Sequence, residues 1–206
     1  MIALFFEVTP VQGQENRYLE IAASLRPVLE TSGGVNYLDR FRSMSRPRTM
    51  LSHQIWADEA SLARWRANGQ HYGAQTLGRR DVFEDYRLRV GTVIAWRADQ
   101  ARVAEADPGI SYNDPARQPA RWMVVVRTNG TPFSGPEAGE TWQSVYTDTA
   151  FAFVTDVEDR AAGLALVQRA AVDPCVSAAQ LSLVSRDYGM FDRREAPQYF
   201  PTKARA

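Results

Sequence analysis

The stretch Thr49 to Val90, TMLSHQIWADEASLARWRANGQHYGAQTLGRRDVFEDYRLRV, decides how the rest of the chain is read. It opens as a β-rich run ending at Trp56, and Asp58 follows where a carboxylate can accept the free N–H groups of a first helical turn. Leu62, Trp65 and Tyr72 then recur near helical spacing and share a face, while Arg64, Arg66 and Gln70 fall on other sides. Asn68-Gly69 interrupts this run and weakens or bends it, because glycine is a poor helix former. A further strand begins near Tyr86, so the unit is strand, helix, strand, and its aromatic-rich seam between helix and sheet is the expected place for a pocket.

Upstream, Ile2 to Thr9 is a short apolar run closed by Pro10 and reads as a strand. Gly13 to Thr31 carries Tyr18, Ile21, Ala22, Leu25 and Leu29 on one helical stripe; Pro27 predicts a kink near Ala23, and Gly33-Gly34 stops the run. Val35 to Ser43 and Thr49 to Trp56 form a hairpin with a polar tip, Met44 to Arg48. With a strand from Tyr86 to Trp96 the order is β-α-β-β-α-β, the split βαβ or ferredoxin-like plan, with both helices on one face of an antiparallel sheet.

Downstream, residues 98–120 hold Pro108, Gly109, Pro115 and Pro119 without a period and read as a linker. Residues 121–190 partly repeat the plan: a strand Arg121 to Thr128, a hairpin pair Thr141 to Thr147 and Ala150 to Thr155, a helix Glu158 to Val172 opened by a Thr155/Glu158 capping box, and a strand Val176 to Tyr188. Only a Gly/Pro-rich loop, Asn129 to Glu140, stands where residues 1–97 have their first helix, and residues 191–206 form a tail. A bare apolar sheet face must be covered, and two sheets in one chain can cover each other. The expected fold is therefore α+β: tandem ferredoxin-like halves in a dimeric-α/β-barrel-type architecture, an intramolecular pseudo-dimer, with a homodimer of chains as the alternative.

Composition narrows the function. The 24 Lys and Arg balance 24 Asp and Glu, so no global field draws in nucleic acid or an anionic membrane. The first residues meet Glu7 before they could be a signal peptide, and no apolar run approaches a membrane span. Single Cys175, between Pro174 and Val176, fits a reducing compartment and reads as a small buried hydrophobe; a cytoplasmic location is expected. Two histidines without ligand spacing make no metal site, and GxGxxG, GxxxxGK[ST] and GxSxG are absent.

At Phe6 to Glu30, DRFRSMSRP (39–47), LSHQIWADEASLARWR (51–66) and GRRDVFEDYRLRV (78–90), the chain resembles the antibiotic biosynthesis monooxygenase family, over Met1 to about Arg97. The resemblance implies a ferredoxin-like dimeric α/β barrel. Some members oxidise polycyclic phenols or anthrones with O2 and neither metal nor flavin, the deprotonated substrate supplying the electrons; others bind and degrade haem. In the anthrone-oxidising pattern a Trp ends the third strand with an Asn earlier on its face; Trp56 matches and Ser52 stands at the Asn position. In the haem-degrading pattern Trp65 matches, but Glu7 and Gln75 stand where Asn and His are needed, which disfavours haem degradation and leaves haem binding open.

Strand alternation puts Ser52, Gln54 and Trp56 on one face and His53 on the other, toward the second sheet. With Trp56 facing the helices, as the family implies, the pocket wall holds Glu7, Ser52 and Trp56 as catalytic candidates. Gln54, Trp65, His71, Tyr72 and Phe83 are the substrate-binding candidates, the aromatics reading equally as ordinary core and His71 as a surface histidine. Glu7, a carboxylate in an apolar strand, is either a general base raised in pKa by burial or a salt-bridge partner of an Arg such as Arg40 or Arg89. The expected reaction is a monooxygenation of a small aromatic or polyketide-like substrate with O2 as co-substrate and no cofactor; the alternative is non-catalytic binding of an apolar ligand or haem.

Overall fold

The computed structural model of the chain describes residues 1–99, 102–107, 120–201 and 203. In order the elements are β1 (Ile2–Pro10), α1 (Glu15–Ser24), α2 (Arg26–Ser32), β2 (Val35–Ser43), β3 (Met50–Trp56), α3 (Glu59–Ala67), α4 (Gly69–Leu77), a π-helical turn (Gly78–Val82) and β4 (Phe83–Asp99). The second half adds β5 (Arg102–Glu105), β6 (Arg121–Asn129), β7 (Glu140–Ser144), β8 (Ala150–Val157), α5 (Arg160–Ala171) and β9 (Val176–Gly189).

Within each half the strands follow the split βαβ order, β4-β1-β3-β2 and β9-β6-β8-β7. The two sheets join edge to edge along β2–β7 and β4–β9, closing an eight-stranded antiparallel barrel with β5 appended beside β4. Each half therefore covers the inner face of the other. Phe5, Leu51, Ile55, Met123, Val125, Trp142 and their neighbours fill the interior. Closure satisfies the edges that an open sheet leaves unpaired.

Local chemistry explains where the elements start and stop. Asp58 caps α3, its carboxylate accepting from Ser61 N at 2.7 Å. Asn68 ends α3 with an extended backbone (ψ 129°) and caps α4, its Oδ1 accepting from Gln70 N and His71 N. Pro27 splits the first helical run into α1 and α2, with the break at Leu25. The expected Thr155/Glu158 capping box does not form: Thr155 lies inside β8, and Asp159 caps α5, accepting from Ala162 N at 2.8 Å. The stretch read as a linker also departs from expectation. β4 runs on to Asp99, and Arg102–Glu105 folds back along it once β1 has ended opposite Thr92. The rest of that stretch, 108–119, lies outside the described residues.

The outer faces of the halves differ. Helices α1 to α3 pack over the first sheet through Tyr18, Ala22, Leu29, Leu62 and Trp65. On the second sheet α5 lies so close that a Cβ on Gly163 would sit 2.4 Å from a Leu181 methyl. The loop that replaces the missing helix brings Phe133 against Phe153, ring centroids 5.8 Å apart. That face is filled.

Candidate functional site

Beneath α1, α3 and α4 the first half keeps a cavity of about 150 Å³. Its floor is set by strand register, because residues directly opposite each other in an antiparallel pair share a face. One row across the sheet runs Arg40, Ser52, Phe6, Leu88 and Tyr188; the next runs Leu38, Gln54, Leu4, Val90 and Arg186. The last member of each row comes from β9, so the second half supplies part of the floor. Tyr18, Leu25, Trp65, His71, Gln75 and Phe83 form the roof and sides.

A directed hydrogen-bond ladder runs up β3. The Trp56 indole N–H, a donor only, gives to Gln54 Oε1 at 2.9 Å, and Gln54 Nε2 gives to Ser52 Oγ at 3.2 Å. The indole fixes the amide's orientation, and the Ser52 hydroxyl hydrogen is left to donate elsewhere. Trp56 is fully buried behind this ladder rather than on the cavity surface.

His71 stacks on Trp65 with ring centroids 4.3 Å apart, and its Nδ1 bonds Trp65 O at 3.0 Å. Burial lowers its pKa to about 4, so it is neutral at physiological pH. Arg186, although buried, forks onto Glu59 of α3 at 2.6 and 2.9 Å. Arg40 is 7% exposed and gives Nη1 to Tyr146 Oη at 2.9 Å, with the Tyr18 hydroxyl beside it. No carboxylate pairs with Arg40 among the described residues. Burial raises the Tyr18 pKa, and the Arg40 charge only partly opposes it, so the phenol stays protonated.

Ser52, Gln54, Trp65, His71 and Phe83 are thus brought together as the sequence suggested. Three residues are not: Trp56 stands behind the cavity wall and reaches it only through Gln54, and Glu7 and Tyr72 lie elsewhere. Glu7 lies opposite Leu51 and Arg87, on the inner face of the barrel, and the first-strand side chains in the cavity are Phe6 and Leu4. Its carboxylate is held by Arg89 at 2.5 Å and Arg46 at 2.8 Å. Burial pushes its pKa up, but the two guanidinium groups outweigh that and leave it lowered, the reverse of a general base tuned upward. Tyr72 is 48% exposed and stacks on Phe200 of the C-terminal segment. The Asn68 cap restarts the helix with a new phase, so His71 takes the inward place that one continuous helix would give Tyr72.

Arg40, Tyr18, Arg186 and Tyr188 were not legible as site residues. Alternation along β2 places Arg40 on the Ser52 face once the hairpin register is known. Arg186 and Tyr188 carry no such signal, because they arrive across the barrel seam. Among the described residues no group of His, Cys, Asp and Glu could hold a metal ion, and no helix is long and apolar enough to cross a membrane.

Residues 1–77 match the family model of the antibiotic biosynthesis monooxygenases. Among solved structures, a candidate monooxygenase of Fusobacterium nucleatum is 9% identical and covers 90% of this chain and 93% of its own, with a TM-score of 0.43. A candidate antibiotic biosynthesis monooxygenase of Nitrosomonas europaea, also 9% identical, covers 44% of this chain and 95% of its own, with a TM-score of 0.40. A jasmonate monooxygenase of Pyricularia oryzae is 34% identical over 220 residues, covering 98% of this chain and 99% of that protein. A likeness that strong, carried through both halves of the barrel, decides the matter: the chain belongs to the antibiotic biosynthesis monooxygenase family.

Proposed function

We propose that the chain is a monooxygenase that oxidises a small, ring-bearing, mainly apolar molecule in the cavity beneath α1, α3 and α4, with O2 as co-substrate and without metal or flavin. The observation that carries the reading is the Ser52–Gln54–Trp56 ladder beside the apolar middle of the floor, Leu4, Phe6, Leu88 and Val90. An acidic CH2 conjugated with a carbonyl loses a proton to solvent to give an enolate, or a phenolate where the enol ring is aromatic as in an anthrone, and this anion can pass electrons to O2. In this reading the Ser52 hydroxyl donates to the oxyanion, and the apolar side chains around it strengthen the bond by displacing water. The overall change, CH2 plus O2 to C=O plus H2O, balances without a reductant; inserting a hydroxyl group would need two further electrons from outside.

Jasmonate, after which the Pyricularia relative is named, is a small ring-bearing molecule of the required kind and the first substrate to try. The alternative, sequestration of an apolar ligand, shares the pocket and lacks the turnover. The test is O2 consumption by metal-free protein with jasmonate, phenols and anthrones, with and without a reductant. Turnover is expected, with Ser52→Ala lowering kcat by roughly a hundredfold. Tight ligand binding with no oxygen uptake under either condition leaves the sequestration reading.

A further inference from the structure

We infer that the pocket selects a monocarboxylate, with Arg40 and the Tyr18 hydroxyl seating the acid group and the apolar part of the floor beyond Ser52 carrying the body. The inference deepens the monooxygenase reading by naming the substrate class.

The warrant is a missing counter-charge. A buried cation is costly unless an anion and hydrogen bonds compensate it. Buried Arg89 holds Glu7 and Asp156, and buried Arg186 holds Glu59; buried Arg79 has neutral partners, Tyr86 Oη and Pro201 O, but does not line the cavity. Arg40 lines the cavity with the phenols Tyr18 and Tyr146 as its side-chain hydrogen-bond partners, and its Nε, like those of Arg89 and Arg186, has no acceptor; the charge of Asp39 reaches it only through space. The nearest acid in sequence, Asp39, points to the opposite face, where its carboxylate accepts from the Arg40 backbone N–H at 2.7 Å and from Ser144 Oγ at 3.2 Å. A ligand carboxylate would supply the charge the protein withholds, and a guanidinium matches it geometrically.

Placement follows from the rows. Arg40 is opposite Ser52, about 5 Å away across one strand spacing, and Phe6 and Leu88 continue the same line. A molecule anchored by its acid at Arg40 therefore lays its apolar body along Phe6 and Leu88, under Phe83, with Ser52 close to the anchored end.

The experiment titrates naphthaleneacetate and cyclohexanebutyrate, each against its methyl ester, into the full chain by calorimetry and tryptophan fluorescence. The acids are expected to bind about ten- to a hundredfold tighter than their esters. That preference should fall to near parity in Arg40→Met, return in part in Arg40→Lys, and weaken in Tyr146→Phe, whose side chain is exposed and safe for the fold. Ligand-free Arg40→Met should melt at or above the wild-type temperature, whereas a merely structural arginine would lower it. Equal affinity for acid and ester in the wild type, an acid preference that survives Arg40→Met, or no binding of any acid overturns the inference. Oxygen uptake separates it from the broader reading: acids that bind through Arg40 without uptake sink the monooxygenase alone, and turnover of neutral substrates indifferent to Arg40 sinks the acid anchor alone.

Discussion

Glu7 lies on the inner face of the barrel as the salt-bridge partner of Arg89 and Arg46, not as a base in the cavity. Its strand is apolar and its carboxylate needs a partner, both of which the sequence conveys; the direction it faces is a matter of register with β3, which only the pairing Phe6–Ser52 reveals. Placed between Arg89 and Arg46, it is a strut of the barrel interior. Glu7→Gln should cost about 1–3 kcal/mol of stability by removing the charge between two guanidinium groups, Arg89 keeping Asp156 and Arg46 keeping Glu140, while kcat on any working substrate stays near wild type. The pH dependence follows from its lowered pKa. The contribution of Glu7 is fully present above the ordinary value of 4.5 and is lost as pH falls below that through the folded-state value. Urea titrations from neutral to acid pH, with Glu7→Gln alongside, should show the variant lacking this part of the acid-side loss; a large drop in kcat instead would return Glu7 to the active site.

The elements were more legible than the faces they present. Strand runs, the Asp58 cap and the break at Pro27 are all local signals, and the chain obeys them. What periodicity misjudged was α3–α4, where a two-residue interruption was treated as a bend in one helix although Asn68 caps a separate one. The exposed Tyr72 then has its own task, since the C-terminal segment folds back over this corner. Phe200 stacks on Tyr72 at 5.2 Å, Gln198 Nε2 gives to Arg66 O at 3.1 Å, and Arg79 Nη2 gives to Pro201 O at 2.7 Å. Arg66 and Gln75, both at the cavity, lie under this strap. Phe200→Ala should cost about 1 kcal/mol in stability and speed hydrogen exchange along Gly69–Leu77. Unchanged exchange there would mean that the strap rests on the helix without holding it.

At the scale of the whole molecule, the repeat is plain in strand order and concealed in residue identity. The second half keeps the four-strand plan and, among the described residues, has filled its outer face with Phe133, Phe153 and a close-lying α5 where the first half keeps its cavity. Calorimetric titration with a ligand that binds should saturate at one molecule per chain; saturation at two would contradict the filled face.

Joining the halves in one polypeptide has a further effect. In a symmetric pair of identical subunits every substitution is made twice, so a residue cannot be spent on one pocket without appearing in the other. Here Tyr146, Arg186, Tyr188 and the strap residues Gln198 and Phe200 all serve a chamber that belongs to the opposite half. Covalent union has freed one copy to become furniture for its twin, and specificity can be tuned from residues that have no second chamber to serve.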